Sequence, residues 1–168
     1  MNPAPHLVLI GPPGAGKTRI GKKVARLLVA DFIDTDRRIV AAHGPIAEIF
    51  ATHGEAHFRR LERAEVTRAL SAAAVVSLGG GAVLDPGTQA DLLLQRVALV
   101  TVSPEAVEAR IAGSNRPLVA GGIDAWTRLV ETRREIYEKL ASRTWDTSHR
   151  PIDEIAAEMA DWVTKEER

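Results

Sequence analysis

The chain has 168 residues, 45% of them hydrophobic and 26% charged, and its 22 Lys and Arg balance 22 Asp and Glu. That length suits one domain, residues 1–168, with a real core. A formal net charge of zero argues against broad electrostatic capture of nucleic acid or anionic membrane. The absence of cysteine excludes a disulfide framework and thiolate metal sites.

A continuous apolar run predicts a first strand over His6–Ile10. Ile20, Val24, Leu27 and Leu28 then recur at helical spacing, which predicts a helix over Lys17–Val29. Between them lies Gly11-Pro12-Pro13-Gly14-Ala15-Gly16-Lys17-Thr18, the glycine-rich pattern of a phosphate-binding loop. A strand, a glycine turn and a helix in that order make a nest of backbone N–H groups at a helix N-terminus, which binds phosphate. Pro12 and Pro13 have no N–H, so the donors must be the amides of Gly14, Ala15, Gly16, Lys17 and Thr18. Lys17 can then reach the outer phosphates and the Thr18 hydroxyl can ligate Mg²⁺.

A second strand is expected over Asp31–Asp34, closed by Asp34-Thr35-Asp36. In an extended segment residues two apart point the same way, so both carboxylates would face the strand tips, where ligands bind in open α/β sheets. One would support Mg²⁺ and the other would accept a hydrogen bond from a substrate hydroxyl. The same residues also read as a helix N-cap. Helices over Arg37–His43, Ile46–Thr52 and Glu55–Ala73 follow, and this insertion, about residues 35–73, is too long for a simple crossover. It is a natural place for a substrate-binding unit. Arg59 within it is a candidate for bidentate carboxylate binding, with Glu62 one helical neighbour away; from spacing alone, a surface helical ion pair is the simpler account. His53 and His57 have no evident third ligand and read as structural or solvated.

The third strand, Val75–Leu78, carries no carboxylate where many nucleotide-hydrolysing proteins place a metal-side Asp, so Asp34 is the nearest candidate. It runs into Gly79-Gly80-Gly81. A tight turn needs one glycine; three permit close backbone approach to a ligand. A helix over Pro86–Gln95, a strand over Val97–Val102 and a helix over Pro104–Ala112 come next. The stretch Gly113–Gly122 reads as a mobile lid, about residues 113–123, from which Arg116 would reach the transferring phosphoryl group. Arg133 and Arg134 lie on a helix over Ile123–Ala141, and at most one faces the site because adjacent helical residues point apart. A fifth strand, Thr144–Thr147, and a last helix, Ile152–Lys165, complete a three-layer α/β/α arrangement around a five-stranded parallel sheet. Trp126, Trp145 and Trp162 read as packing residues. No apolar run is long enough for a signal peptide or membrane span, and no exposed apolar stripe is evident, so a cytoplasmic monomer is expected.

Five segments in this order resemble the shikimate kinase family: Gly11–Thr18, Asp34-Thr35-Asp36, Gly54-Glu55 with Phe58-Arg59, Leu78-Gly79-Gly80-Gly81-Ala82-Val83, and Arg116-Pro117-Leu118. The resemblance implies a P-loop kinase fold and transfer of the γ-phosphoryl of MgATP to the 3-hydroxyl of shikimate. It further implies that Asp36 binds the reacting hydroxyl and that Arg59 and Arg133 clamp the substrate carboxylate. Gly80 and Gly81 would line the ring, Phe50 and Phe58 would wall the pocket, and Asp34 with Thr18 would support Mg²⁺. Arg133 is preferred over Arg134 because it stands four residues before Tyr137, as in the family. Arg110 would stack on adenine, and Arg150 in Ser148-His149-Arg150-Pro151 would serve the same end of the nucleotide. A kinase of similar fold acting on gluconate or a nucleoside monophosphate, and a nucleotide-binding module without catalysis, are the alternatives.

Overall fold

A computed structural model describes residues 3–112 and 121–166. Its sheet has five parallel strands in the order β2-β3-β1-β4-β5. β1 (Leu7–Ile10) is central, flanked by β3 (Ala74–Ser77) and β4 (Val97–Thr101), with β2 (Asp31–Asp34) and β5 (Arg143–Asp146) at the edges. The helices are α1 (Lys17–Leu28), α2 (Thr35–His43), α3 (Ile46–His53), α4 (Glu55–Ala69), α5 (Pro86–Leu92), α6 (Pro104–Ala112), α7 (Gly122–Leu140) and α8 (Ile152–Glu166), with a 3₁₀ turn at Ala82–Leu84.

Strand alternation divides the core into two layers. Leu7 and Leu9 of β1 pack with Ile20 and Val24 of α1 and with Ile155 and Met159 of α8. Val8 and Ile10 face the other way, onto Val66 and Ala69 of α4, Leu92 of α5 and Leu140 of α7. Strands covered on both faces have no polar side, which is why β1 and β3 read as unbroken apolar runs. The edge strands mix exposed with buried residues and give weaker signals. The three tryptophans are buried, as expected of packing residues.

The chain leaves β1 toward β2 and leaves β4 toward β5, on the opposite side of the sheet centre. The glycine loop after β1 therefore stands at the carboxyl edge where the direction of connection reverses, the position where open α/β sheets bind ligands. Helices α2, α3 and α4 fill the stretch expected to be an insertion and close over their own small core of Ile39, Ile49 and Phe58.

The main departure from expectation lies after β2. The strand stops at Asp34 and α2 begins at Thr35, two residues earlier than predicted. The Asp34 carboxylate accepts from Arg37 N at 3.1 Å, which satisfies an otherwise orphaned helix amide and starts the helix there. Asp34 and Asp36 are thus not neighbours along one extended strand: one is an N-cap and the other sits in the first turn. Helices α4 and α5 also end earlier than predicted, at Ala69 and Leu92.

At the end of α1 the chain turns at Val29, which has φ 53° and is 94% exposed. A β-branched side chain is strained in the left-handed region that caps helices, and this one gains no packing there. Val29→Gly is expected to raise unfolding stability by about 1 kcal/mol without changing activity; denaturant titration of both proteins checks it.

Candidate active site

The phosphate loop is fixed by close backbone packing. Gly11 has φ 144°, and a β-carbon there would lie 2.1 Å from Val100 O. Gly16, with φ 97°, forms the N-cap of α1. Among the described residues the amides of Gly14, Gly16, Lys17 and Thr18 donate to no protein acceptor, whereas Ala15 N makes a long bond of 3.4 Å to Pro12 O within the loop. Four free donors at a helix N-terminus form an anion-binding concavity. Lys17 folds back over them: Nζ donates to Gly11 O at 2.7 Å and Pro12 O at 2.9 Å. Burial pulls its pKa down to about 8, against the opposing pull of the Asp36 and Asp34 carboxylates, with the Arg133 charge adding to the fall.

Thr18 and Asp34 meet beside the loop, the hydroxyl donating to Asp34 Oδ2 at 2.8 Å. Asp34 lies directly opposite Ser77 in the β2–β3 register. The adjacent strand thus places a carboxylate level with the tip of β3, which carries none. A hydroxyl and a carboxylate are hard oxygen donors of the kind Mg²⁺ takes, and Mg²⁺ fills its remaining positions with phosphate oxygens and water. Among the described residues no group of three or more His, Cys, Asp or Glu could hold a metal, so no all-protein cage competes with this arrangement.

The three glycines at the tip of β3 make room for three functional side chains. A β-carbon on Gly79 would lie 2.4 Å from Asp36 Oδ1; on Gly80, 3.1 Å from Pro13 Cδ and 3.5 Å from Arg133 Nη1; on Gly81, 2.5 Å from Arg59 Nη1. None of the three has a positive φ, so close approach, not backbone conformation, demands glycine here. Thr35, between the two aspartates and fully buried, holds the run in place: its hydroxyl donates to Ser77 O at 3.4 Å and accepts from Gly79 N at 3.3 Å. Nothing in the sequence marked that residue except its place between two acids.

Asp36 Oδ1 is buried and has no hydrogen-bond partner. Burial, and next the Asp34 charge, raise the Asp36 pKa; Lys17 and Arg59 oppose them. Arg59 bonds Glu62 at 2.8 Å, and Glu62 is only 4% exposed. The surface-pair reading of Arg59 and Glu62 is therefore overturned: the carboxylate is in the interior, raised in pKa by burial, and it fixes the guanidinium against Gly81. Arg133 reaches the glycine run, while Arg134 turns outward to an exposed pair with Glu131.

A cleft of about 840 Å³ is lined among others by Lys17, Thr18, Asp34, Asp36, Gly79, Gly80 and Arg110, whereas Gly81, Arg59 and Arg133 are not part of its lining. Arg110 donates to Gly14 O at 3.1 Å and to Thr147 Oγ1 at 3.2 Å, tying α6 to the phosphate loop. Thr147, 1% exposed, completes that clamp through a 2.8 Å bond to Ala15 O and was not anticipated. Arg150 does not line the cleft; its guanidinium is paired with Glu158 of α8. Phe50 and Phe58 do not line it either. Their rings lie 4.9 Å apart in the small core of α2–α4, with Arg59 stacked 5.4 Å over Phe58, so they support the guanidinium from below. His53 and His57 stack on each other at 4.6 Å, away from the cleft. Arg116 and most of the expected lid lie outside the described residues.

The shikimate kinase family model matches residues 13–164. The chain belongs to the shikimate kinase family. Shikimate kinases of Salinispora arenicola and Salinispora tropica are each 45% identical to it over 161 residues, which span 94% of this chain and 96% of theirs. A shikimate kinase from Acinetobacter baumannii, solved in complex with shikimate, superposes with a TM-score of 0.87 at 28% identity, covering 98% of this chain and 94% of that one. Membership in the shikimate kinase family makes the chain an ATP-dependent kinase, and the cleft suits that chemistry, with free amides and Lys17 beside the half-buried Asp36 carboxylate.

Two outcomes follow from the geometry. Gly79→Ala would push the Asp36 carboxylate off its seat and is expected to lower kcat about 10²-fold with ATP affinity kept; steady-state kinetics and nucleotide titration check this. Phosphate oxygens favour the charged form of Lys17 and raise its pKa from about 8. Nucleotide binding at pH 8.5 should therefore take up a proton, and binding at pH 7, where Lys17 is already charged, should take up almost none. Calorimetry in buffers of different ionisation enthalpy reads the difference.

Proposed function

We propose that this chain transfers the γ-phosphoryl group of ATP to the 3-hydroxyl of shikimate, giving shikimate 3-phosphate and ADP. The observation that carries the reading is Asp36 Oδ1, a buried carboxylate oxygen without a partner, within the charge field of Lys17 and Arg59. An unsatisfied buried acceptor is costly, and a substrate hydroxyl satisfies it. In the reaction the substrate oxygen bonds to the γ-phosphorus, the bridge to the β-phosphate breaks, and the hydroxyl proton passes to Asp36. The raised pKa of Asp36 suits it to receive that proton.

The remaining groups position and neutralise. The loop amides and Lys17 hold the phosphates, and Arg110 braces the loop from behind. Arg59 and Arg133 would take the substrate carboxylate, Gly80 and Gly81 would leave the ring its space, and Phe58, backed by Phe50, lies under Arg59. Thr18 and Asp34 would hold Mg²⁺, which supplies positive charge to the β- and γ-oxygens when bound. The part given to Arg116, charge on the transferring group, rests on its place in the sequence. Phosphoryl transfer has a loose, charge-spread transition state, so this array of fixed cations is what the step requires.

A coupled ADP-release assay across shikimate, quinate, gluconate and nucleoside monophosphates tests the reading, with turnover expected on shikimate. Arg59→Ala should raise the KM for shikimate by about 10- to 10²-fold, the loss of a charged hydrogen bond, and leave the KM for ATP unchanged. Turnover on gluconate with none on shikimate overturns the proposal.

A further inference from the structure

One face of α7 touches both halves of the cleft. Trp126, Val130, Arg133 and Tyr137 recur at intervals of four, three and four, which aligns them along a single stripe. Trp126, 1% exposed, donates from Nε1 to Pro13 O of the phosphate loop at 2.8 Å. Eleven residues on, Tyr137 donates its hydroxyl to Gly80 O at 2.6 Å and is 3% exposed. The helix is thus tied to the phosphate loop at one point and to the glycine run at another.

The second tie has a directional effect. The Gly80–Gly81 peptide bond is trans, so the carbonyl of Gly80 and the N–H of Gly81 belong to one plane and point opposite ways. With the carbonyl held on Tyr137, the Gly81 amide must point away from α7. Among the described residues that amide donates to no protein acceptor. Two of the three groups assigned to the acceptor, Asp36 and Arg59, crowd Gly79 and Gly81 from α2 and α4, while the third, Arg133, reaches Gly80 from α7 itself. Glycine peptides have the widest rotational freedom of any, so this plane needs an outside constraint if it is to stay put. Two glycines flank it.

We infer that Tyr137 is a positioning residue for the acceptor: its hydroxyl locks the Gly80–Gly81 peptide so that the Gly81 amide is presented to the hydroxylated ring of the substrate. The inference rests on the proposed shikimate reading and adds to it a residue that does not touch substrate. Burial holds the Tyr137 phenol above its ordinary pKa against the charge of Arg133 and a hydrogen bond with it, so the lock stays protonated through the working pH range, and the amide measurement below separates the lock from that contact with Arg133.

The test is Tyr137→Phe, which keeps the buried ring and removes only the hydroxyl. Loss of a hydrogen bond to a buried carbonyl should raise the KM for shikimate about tenfold while the KM for ATP stays within about twofold. A purely structural tyrosine would lower the melting temperature and leave the ratio of the two KM values unmoved; that result, or an equal rise in both, overturns the inference. A second measurement needs no variant. In ¹⁵N-labelled wild-type protein, saturating shikimate should shift the Gly81 amide resonance and slow its exchange with solvent. An amide untouched by bound shikimate refutes the lock even if the substituted protein does not fold. Wild-type protein that fails to turn over shikimate at all instead refutes the reading on which the lock depends.

Discussion

The constraint on which the site depends is steric: the tip of β3 carries no β-carbon for three consecutive residues. Two of the missing carbons leave volumes that charged groups occupy, Asp36 at Gly79 and Arg59 at Gly81, while at Gly80 the ring of Pro13 closes in and Arg133 comes into contact. The three charged groups come from α2, α4 and α7, elements far apart in the chain. They converge because the backbone at that point is thin enough to be approached from several directions. The same thinness brings Pro13 of the phosphate loop against Gly80, so the donor and acceptor halves of the cleft share one strand of glycine as their common wall.

Electrostatics then sets what the convergence can do. Lys17 is buried and Asp36 half-buried, and each is displaced in pKa toward its neutral form by that burial while the other pulls it back. Charges held in this way are incompletely solvated, and phosphates and a hydroxyl arriving in the cleft would stabilise them. Glu62 acts in the opposite sense on Arg59, keeping a fixed partner so that the guanidinium does not collapse onto Asp36. The neutral net charge of the chain conceals this separation of charge entirely.

Much of this was legible in the sequence because its causes are local. The phosphate loop announces itself by glycine spacing, and the strands buried on both faces announce themselves as apolar runs. For the aspartate pair the helix-cap reading is the right one and the extended reading is not: the two carboxylates share the cleft through a cap and a first turn, because the Asp34 side chain catches the amide of Arg37 and starts α2 two residues earlier than expected. Burial was the least legible quantity. Nothing in the spacing of Arg59 and Glu62 distinguishes a solvated pair from an interior one, since the difference is made by what α2 and the glycine run place over them. Thr35, Thr147 and the partner of Arg150 were missed for the same reason: each is defined by a bond between segments that meet only in three dimensions.

Asp34 illustrates what such economy implies for the protein's freedom to vary. One of its oxygens begins α2 and the other receives the Thr18 hydroxyl beside the glycine loop. Asn could still start the helix and Glu would retain the negative charge, but neither replaces the original in both capacities. Drift at this position is therefore confined by two unrelated demands at once, and a lineage that relaxed one of them would find the other still closed.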